Sequence, residues 1–203
     1  MLYFTKFRAQ LISIKLPMDA LTALHTRNSV NILSEPGPSK EQLNNIIKAG
    51  IRACDHGWLR PWKYLVIEGD ARKKFGELLE KTKSSMSGSP LNEKESDKIR
   101  SKALRAPLII AVVAKIVEHP KVPEIEQVMS AAASAQMMMT AAHAQGIGAI
   151  WRSGALMFEK TMHTGLNLNE NDSLVGFIYL GTPKAIKPLS ELNADDFIEY
   201  WGN

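Results

Sequence analysis

Pro107-Leu108-Ile109-Ile110-Ala111-Val112-Val113-Ala114 contains no polar side chain. So short an apolar run, rich in β-branched residues, predicts a strand covered on both faces. Such a strand needs helices above and below it, which sets the layer architecture. Downstream, Glu124 to Gln145 has the length of one long helix, and Gly146 stops it. Ile147 to Trp151 predicts a short strand, Phe158 to Thr164 a helix, and Leu174 to Leu180 a second buried strand closed by Gly181-Thr182-Pro183. Upstream, Trp62 to Glu68 is aromatic and β-branched and predicts a strand. Ala71 to Lys83 and Asn92 to Leu104 predict helices, with a polar loop at Ser84 to Pro90 between them. Ser39 caps a helix from Glu41 to Cys54, in which Leu43, Ile46, Ile47 and Ile51 recur at helical spacing. Met18 to Arg27 predicts the first helix, Ser34 to Ser39 a loop, and Ala185 to Asn203 a largely extended tail. The sum is one α+β domain, a central mixed sheet of about four or five strands wrapped by helices.

The 203 residues, 45% of them hydrophobic, suffice for one sizeable core. The formal charge of +4 does not form a basic stripe interleaved with aromatics, so no nucleic-acid partner is expected. Arg72-Lys73-Lys74 and Lys98 to Lys102 sit among acids and predict solvated helix faces. The single cysteine, Cys54, excludes an internal disulfide and suits a reducing cytoplasm; its expected role is a buried small hydrophobe. The histidines show no metal-ligand spacing. Val128 to Ala149 carries no charge, yet its serines, glutamines and glycines predict a helix buried in protein rather than in a membrane. Residues 1–17 are expected to be an extension outside the fold, with residues 18–203 forming the domain.

Several short motifs could carry chemistry. Arg27-Asn28-Ser29 ends the first helix, and an Arg fork beside a Ser hydroxyl suits phosphate oxygens. Ile150-Trp151-Arg152-Ser153-Gly154 leads a strand into a second Arg-Ser pair. Taken singly, each motif reads first as an ordinary helix end or turn. Arg52 and His56 can meet at one helix end, or form a surface cluster. Gln145-Gly146-Ile147-Gly148 lacks the third Gly of a dinucleotide fingerprint and follows a helix, which rejects that reading. Met129, Met137, Met138 and Met139 lie on an Ala-rich helix suited to a core or to close approach of two helices. Without a nucleophile or acid-base pair of its own, the chain points to a borrowed reactive centre.

Together these segments resemble the nitroreductase family, in its compact short branch of NAD(P)H nitroreductases. The resemblance runs from Met18 to about Pro183. It is carried by Met18-Asp19-Ala20-Leu21, Arg27-Asn28-Ser29, Ala49-Gly50-Ile51-Arg52-Ala53, Asp55-His56, Pro61-Trp62, Arg105-Ala106-Pro107, Ala144-Gln145-Gly146, Trp151-Arg152-Ser153-Gly154 and Gly176 to Pro183. It implies a homodimer with FMN at the subunit interface. Arg27, Asn28 and Ser29 would bind the FMN phosphate; Arg152 and Ser153, preceded by Trp151, would form a second clamp. Arg52 and His56 would come from the partner chain. Three positions depart from the family pattern: Asn28 stands where a second Arg is common, Arg60 where Gln is usual, and Ile125 where an aromatic is frequent.

The implied activity is ping-pong transfer of reducing equivalents from NADH or NADPH, through FMN, to a small nitroaromatic, quinone or similar oxidised acceptor. No catalytic side chain is implied. Two other readings stand beside it: an FMN-binding sensor or carrier with little turnover, and a flavin-free interaction protein.

Overall fold

The computed structural model describes residues 18–185 and 187–202. The expected N-terminal extension, residues 1–17, lies outside the described residues. The chain runs α1 (Ala20–Thr26), β1 (Leu33–Ser34), α2 (Lys40–Gly50), β2 (Trp62–Glu68), α3 (Ala71–Ser87), α4 (Glu93–Arg100), β3 (Leu108–Ala114), α5 (Glu124–Ala144), β4 (Gly148–Arg152), α6 (Lys160–Gly165) and β5 (Ser173–Pro183). Short 3-10 turns lie at Ser101–Leu104, Ala155–Phe158 and Ala194–Phe197. The architecture is α+β, as expected.

β5 organises the sheet. It pairs with β3 on one side and β4 on the other, β2 lies outside β3, and β1 pairs with the last residues of β5. Every pairing is antiparallel. The expected mixed sheet is therefore corrected. β3 and β4 do point the same way across the α5 connection, but β5 inserts between them in the opposite direction. Strand–helix alternation in a sequence sets the direction of strands, not which strands become neighbours.

β3 is buried along its whole length and feeds two cores. Ile109, Ala111 and Val113 face Phe75 and Leu79 of α3 and Met162 of α6. Leu108, Ile110 and Val112 face Ile46 of α2 and Ala135, Met138 and Ala142 of α5. This is the period-two consequence of a strand between two helical layers. Along β5 the alternation breaks once. Val112 pairs with Gly176 but Val113 pairs with Leu174, leaving Val175 as an extra residue. Leu174 faces the α3 layer, and across the bulge Phe177 and Tyr179 do so too, while Ile178 and Leu180 face α5.

Several element ends differ from expectation. α3 continues through Ser87, so Ser84 to Ser87 are helical and not loop. The hydroxyls of Thr82 and Ser87 donate to Leu78 and Lys83 carbonyls one turn back, which lets a polar segment remain helical. Gly88, in a left-handed conformation at φ 69°, then ends the helix. α2 begins at the predicted Ser39 cap, which the structure shows to be a capping box with Gln42, but stops at Gly50. Cys54 consequently sits in a surface turn and is exposed, not buried. β1 was not expected at all. Among the described residues no helix is long and apolar enough to cross a membrane, and no group of metal-ligating side chains occurs.

Candidate cofactor site

α1 ends at Arg27 and packs against the C-terminal half of α5. Thr26 Oγ1 donates to the Thr22 carbonyl at 2.6 Å, so it is free to accept from His143 Nε2 at 2.9 Å. That assigns the Nε2–H tautomer to His143. Burial first, and then the Arg27 charge, push the His143 pKa down. The imidazole is therefore neutral at pH 7, and Arg27 is the cation of this helix end. Asn28 donates to the Lys187 carbonyl at 3.0 Å and so anchors the start of the tail. Ser29 is exposed. The Val30 N–H donates to the Ala149 carbonyl at 2.9 Å, which lays this segment along β4.

β4 carries the second motif. Trp151 packs toward the α2–α5 layer and Arg152 toward the α3 layer, because neighbouring strand residues face opposite ways. Trp151 sits directly over Gly176 of the bulge, with its indole in the space a β-carbon there would need. The Arg152 guanidinium lies 5.6 Å above the ring of buried Tyr179. Beyond it, Ser153 and Gly154 are exposed. Arg27 lies three residues before Val30, and Arg152 three after Ala149. At about 3.3 Å per extended residue, both α-carbons are within about 10 Å of the Val30–Ala149 bond.

Among the described residues, only two buried side-chain polar atoms have no hydrogen-bond partner: Arg27 Nη1 and Arg152 Nε. Buried donors are ordinarily satisfied. Both exceptions fall in the two Arg-Ser motifs. They are the kind of donor an anionic phosphate would complete, so the residues present fit an FMN phosphate end.

His56 is placed elsewhere, and Arg52 lies just past the end of α2. His56 Nδ1 is 2.7 Å from Glu126 Oε2, beside the N-terminus of α5. His143, which marks the Arg27 end, is seventeen residues further along the same helix. At 1.5 Å rise per residue the two ends are about 26 Å apart. His56 therefore lies at the opposite end of α5 from Arg27, whereas Gly50, just before Arg52, packs against Met138 between the two ends. Arg60 is exposed, with its guanidinium 5.7 Å over the exposed ring of Trp58. Its backbone N–H donates to Asp55 Oδ2 at 2.8 Å.

The structure adds residues that sequence reasoning missed. A cavity of about 540 Å³ opens beside Arg152 and Ser153, and Lys83, Lys102 and Arg105 line it. Lys102, expected on a solvated face, is half-buried. The extension of α3 was the available signal: Leu79, Lys83 and Met86 share one helical face only if the helix passes Lys83.

The family model described as the nitroreductase family matches residues 24–182. The "Putative NAD(P)H nitroreductase YdjA" of Escherichia coli is 46% identical over 187 residues, covering 91% of this chain and 100% of that protein. The "Putative NAD(P)H nitroreductase" of Haemophilus influenzae is 36% identical over 186 residues, covering 90% and 100%. Among solved structures, the nitroreductase-like family protein from Bacillus cereus superposes with a TM-score of 0.77 at 20% identity, covering 92% of this chain and 97% of that one. A nitroreductase from Desulfovibrio desulfuricans, solved in complex with FMN, has a TM-score of 0.66 at 24% identity, covering 88% and 94%. The matched span contains all but the last residue of the bulged sheet, with α5 and both Arg-Ser motifs, and on this ground the chain belongs to the nitroreductase family.

Proposed function

We propose that the protein is an NAD(P)H-dependent oxidoreductase that works as a homodimer with FMN between its subunits. The observation that carries this reading is the pair of buried, unpartnered cationic donors, Arg27 Nη1 and Arg152 Nε. Arg27, Ser29, Arg152 and Ser153 would hold the cofactor phosphate by charge-assisted hydrogen bonds, with Asn28 and Trp151 beside them. Bound FMN supplies a two-electron relay between NADH or NADPH and an oxidised acceptor, a nitroaromatic or quinone. The chain's own share is to orient that group and to exclude water around it. Its relatives carry NAD(P)H nitroreductase names, and a structural neighbour is a complex with FMN. A cytoplasmic setting suits the single exposed cysteine.

Two features support the dimer. His56 sits about 26 Å along α5 from the Arg27 end, which favours its reaching a shared cofactor from a second copy. The outer side of α5 also exposes Ile125 at 61% and Met129 at 62%, and α1 exposes Leu21 and Leu24. Apolar side chains left exposed towards both ends of α5 are what an association surface running along it would present. Changing Met129 to Glu should weaken self-association by about tenfold or more, since a charge at a buried contact is desolvated without a partner. Light scattering should then report monomer at concentrations where the parent is dimeric; an unchanged mass would move the interface off α5.

The function itself is tested on the purified protein. The expected result is a yellow protein that releases FMN on denaturation and oxidises NADH or NADPH when a quinone or nitroaromatic is added. Bound FMN without turnover would favour the sensor or carrier reading. A colourless protein that takes up no FMN would overturn the proposal.

A further inference from the structure

The cavity beside Arg152 lies on the α3 face of the sheet. Four basic side chains from separate stretches of the chain line it: Lys83 from α3, Lys102 from the turn after α4, Arg105 just beyond that turn, and Arg152 from the end of β4. No Asp or Glu lines it. Among the described residues none of the four has an ion-pair partner. Burial pushes the Lys102 pKa down, and the charges of Arg105, Lys98, Lys83 and Arg152 push it further. The same crowding shows at buried Tyr179, whose phenol burial raises and Arg152 and Arg105 lower.

Gathering like charges at a partly desolvated surface is unfavourable on its own. It becomes favourable when an anion is bound, and a low-dielectric wall then strengthens the attraction. The walls are Phe177 and Tyr179 with Leu79 and Ile99, which suit an aromatic ring. The volume is in the range that holds a small ligand, roughly 300–1,000 Å³. The cavity shares Arg152 and Ser153 with the cofactor residues, so a ligand in it lies next to the proposed cofactor.

We propose that this cavity seats the acidic group of the electron acceptor, so that the preferred acceptors are aromatic acids rather than neutral aromatics. This rests on the oxidoreductase reading above. In a test reaction, 4-nitrobenzoate takes two electrons and two protons and loses water to give the nitroso compound. NAD(P)H supplies a hydride, and solvent the second proton.

The experiment uses the FMN-loaded protein and two matched pairs of probes. Binding is read with benzoate and benzyl alcohol by calorimetry, which needs no turnover. Turnover is read with 4-nitrobenzoate and 4-nitrobenzyl alcohol. We expect the acid of each pair to be favoured by about tenfold or more, through charge-assisted contacts, and the preference to shrink as salt is raised. In Lys83→Gln with Arg105→Gln, the ratio of kcat/KM for acid over alcohol should fall toward one, while FMN is titrated with the parent affinity. Equal binding of benzoate and benzyl alcohol by the parent overturns the proposal, even if both nitro compounds are reduced and the oxidoreductase reading stands. A loss of FMN affinity in the double variant also overturns it, because the cations would then serve the cofactor's own phosphate. Absence of FMN from the parent sinks the underlying function instead, and is seen before either pair is tested.

Discussion

Replacing Arg152 with alanine should weaken FMN binding by about one to two orders of magnitude without lowering the stability of the flavin-free protein. A charge-assisted hydrogen bond contributes roughly 1.5–3 kcal/mol, and about 1.4 kcal/mol is tenfold in affinity. In the chain alone, Arg152 Nε is buried and makes no hydrogen bond. An unsatisfied buried donor costs about 1–3 kcal/mol. The guanidinium does gain from lying over Tyr179, by about 0.5–1 kcal/mol. The cost is the larger of the two, so the flavin-free variant should melt at the parent temperature or above it. Flavin titration and thermal melts of the flavin-free protein read the two effects separately. A lower melting temperature with an unchanged titration would make Arg152 a packing residue.

Gly176→Ala should be among the most damaging single-methyl changes in the molecule. An added β-carbon would collide with the Trp151 indole nitrogen, lie 2.8 Å from Trp151 Cδ1, and lie 3.1 Å from the Arg152 carbonyl oxygen. Gly176 also has φ 156°, which side chains rarely adopt. Overpacking of this kind costs about 1–3 kcal/mol, and backbone strain of order 1 kcal/mol adds to it. For a chain of this size each kcal/mol lowers Tm by about 2–4 °C, so a fall of roughly 5–15 °C is expected. The bulge also seats Trp151 and Arg152, so FMN content should fall with stability. Because the main clash is with one side chain, the change should cost less in a Trp151→Ala background than in the parent. Additive losses would place the defect in the backbone of β5 alone.

These sensitivities show what could be read from the residues and what could not. β3 was legible because an uninterrupted apolar run has only one stable setting, between two helical layers. β2 was legible for a similar local reason, and so was the start of α2, where Ser39 and Gln42 form a reciprocal cap. β1 was not, because Leu33 and Ser34 become a strand only by pairing with Thr182 and Pro183, nearly 150 positions away. The antiparallel insertion of β5 and its bulge are likewise choices of partner, made in three dimensions. The polar end of α3 was lost to composition, since hydroxyls that bond back to the helix look the same as loop residues.

The site divides in the same way. Arg27 and Arg152 stand in motifs whose residue types suit an anion, and their buried, unpartnered nitrogens fit that expectation. The cationic cavity is assembled from separate segments, none of which carries a pattern of its own. Arg52 and His56 were named from resemblance, which requires a second chain, and the placing of His56 far from the Arg27 end of α5 agrees with that requirement.

That requirement can be measured directly by mixing two variants that each bind FMN poorly. One chain carries Arg152→Ala, and the other carries Arg52→Ala with His56→Ala. If each site draws Arg152 from one subunit and Arg52 and His56 from the other, every mixed dimer contains one fully native site and one doubly altered site. In a random one-to-one mixture, about half of the dimers are mixed, so about a quarter of all sites should titrate with parental FMN affinity. If each site is built within one chain, every site carries a substitution. No fraction with parental affinity would then appear, and the shared-site account would be contradicted.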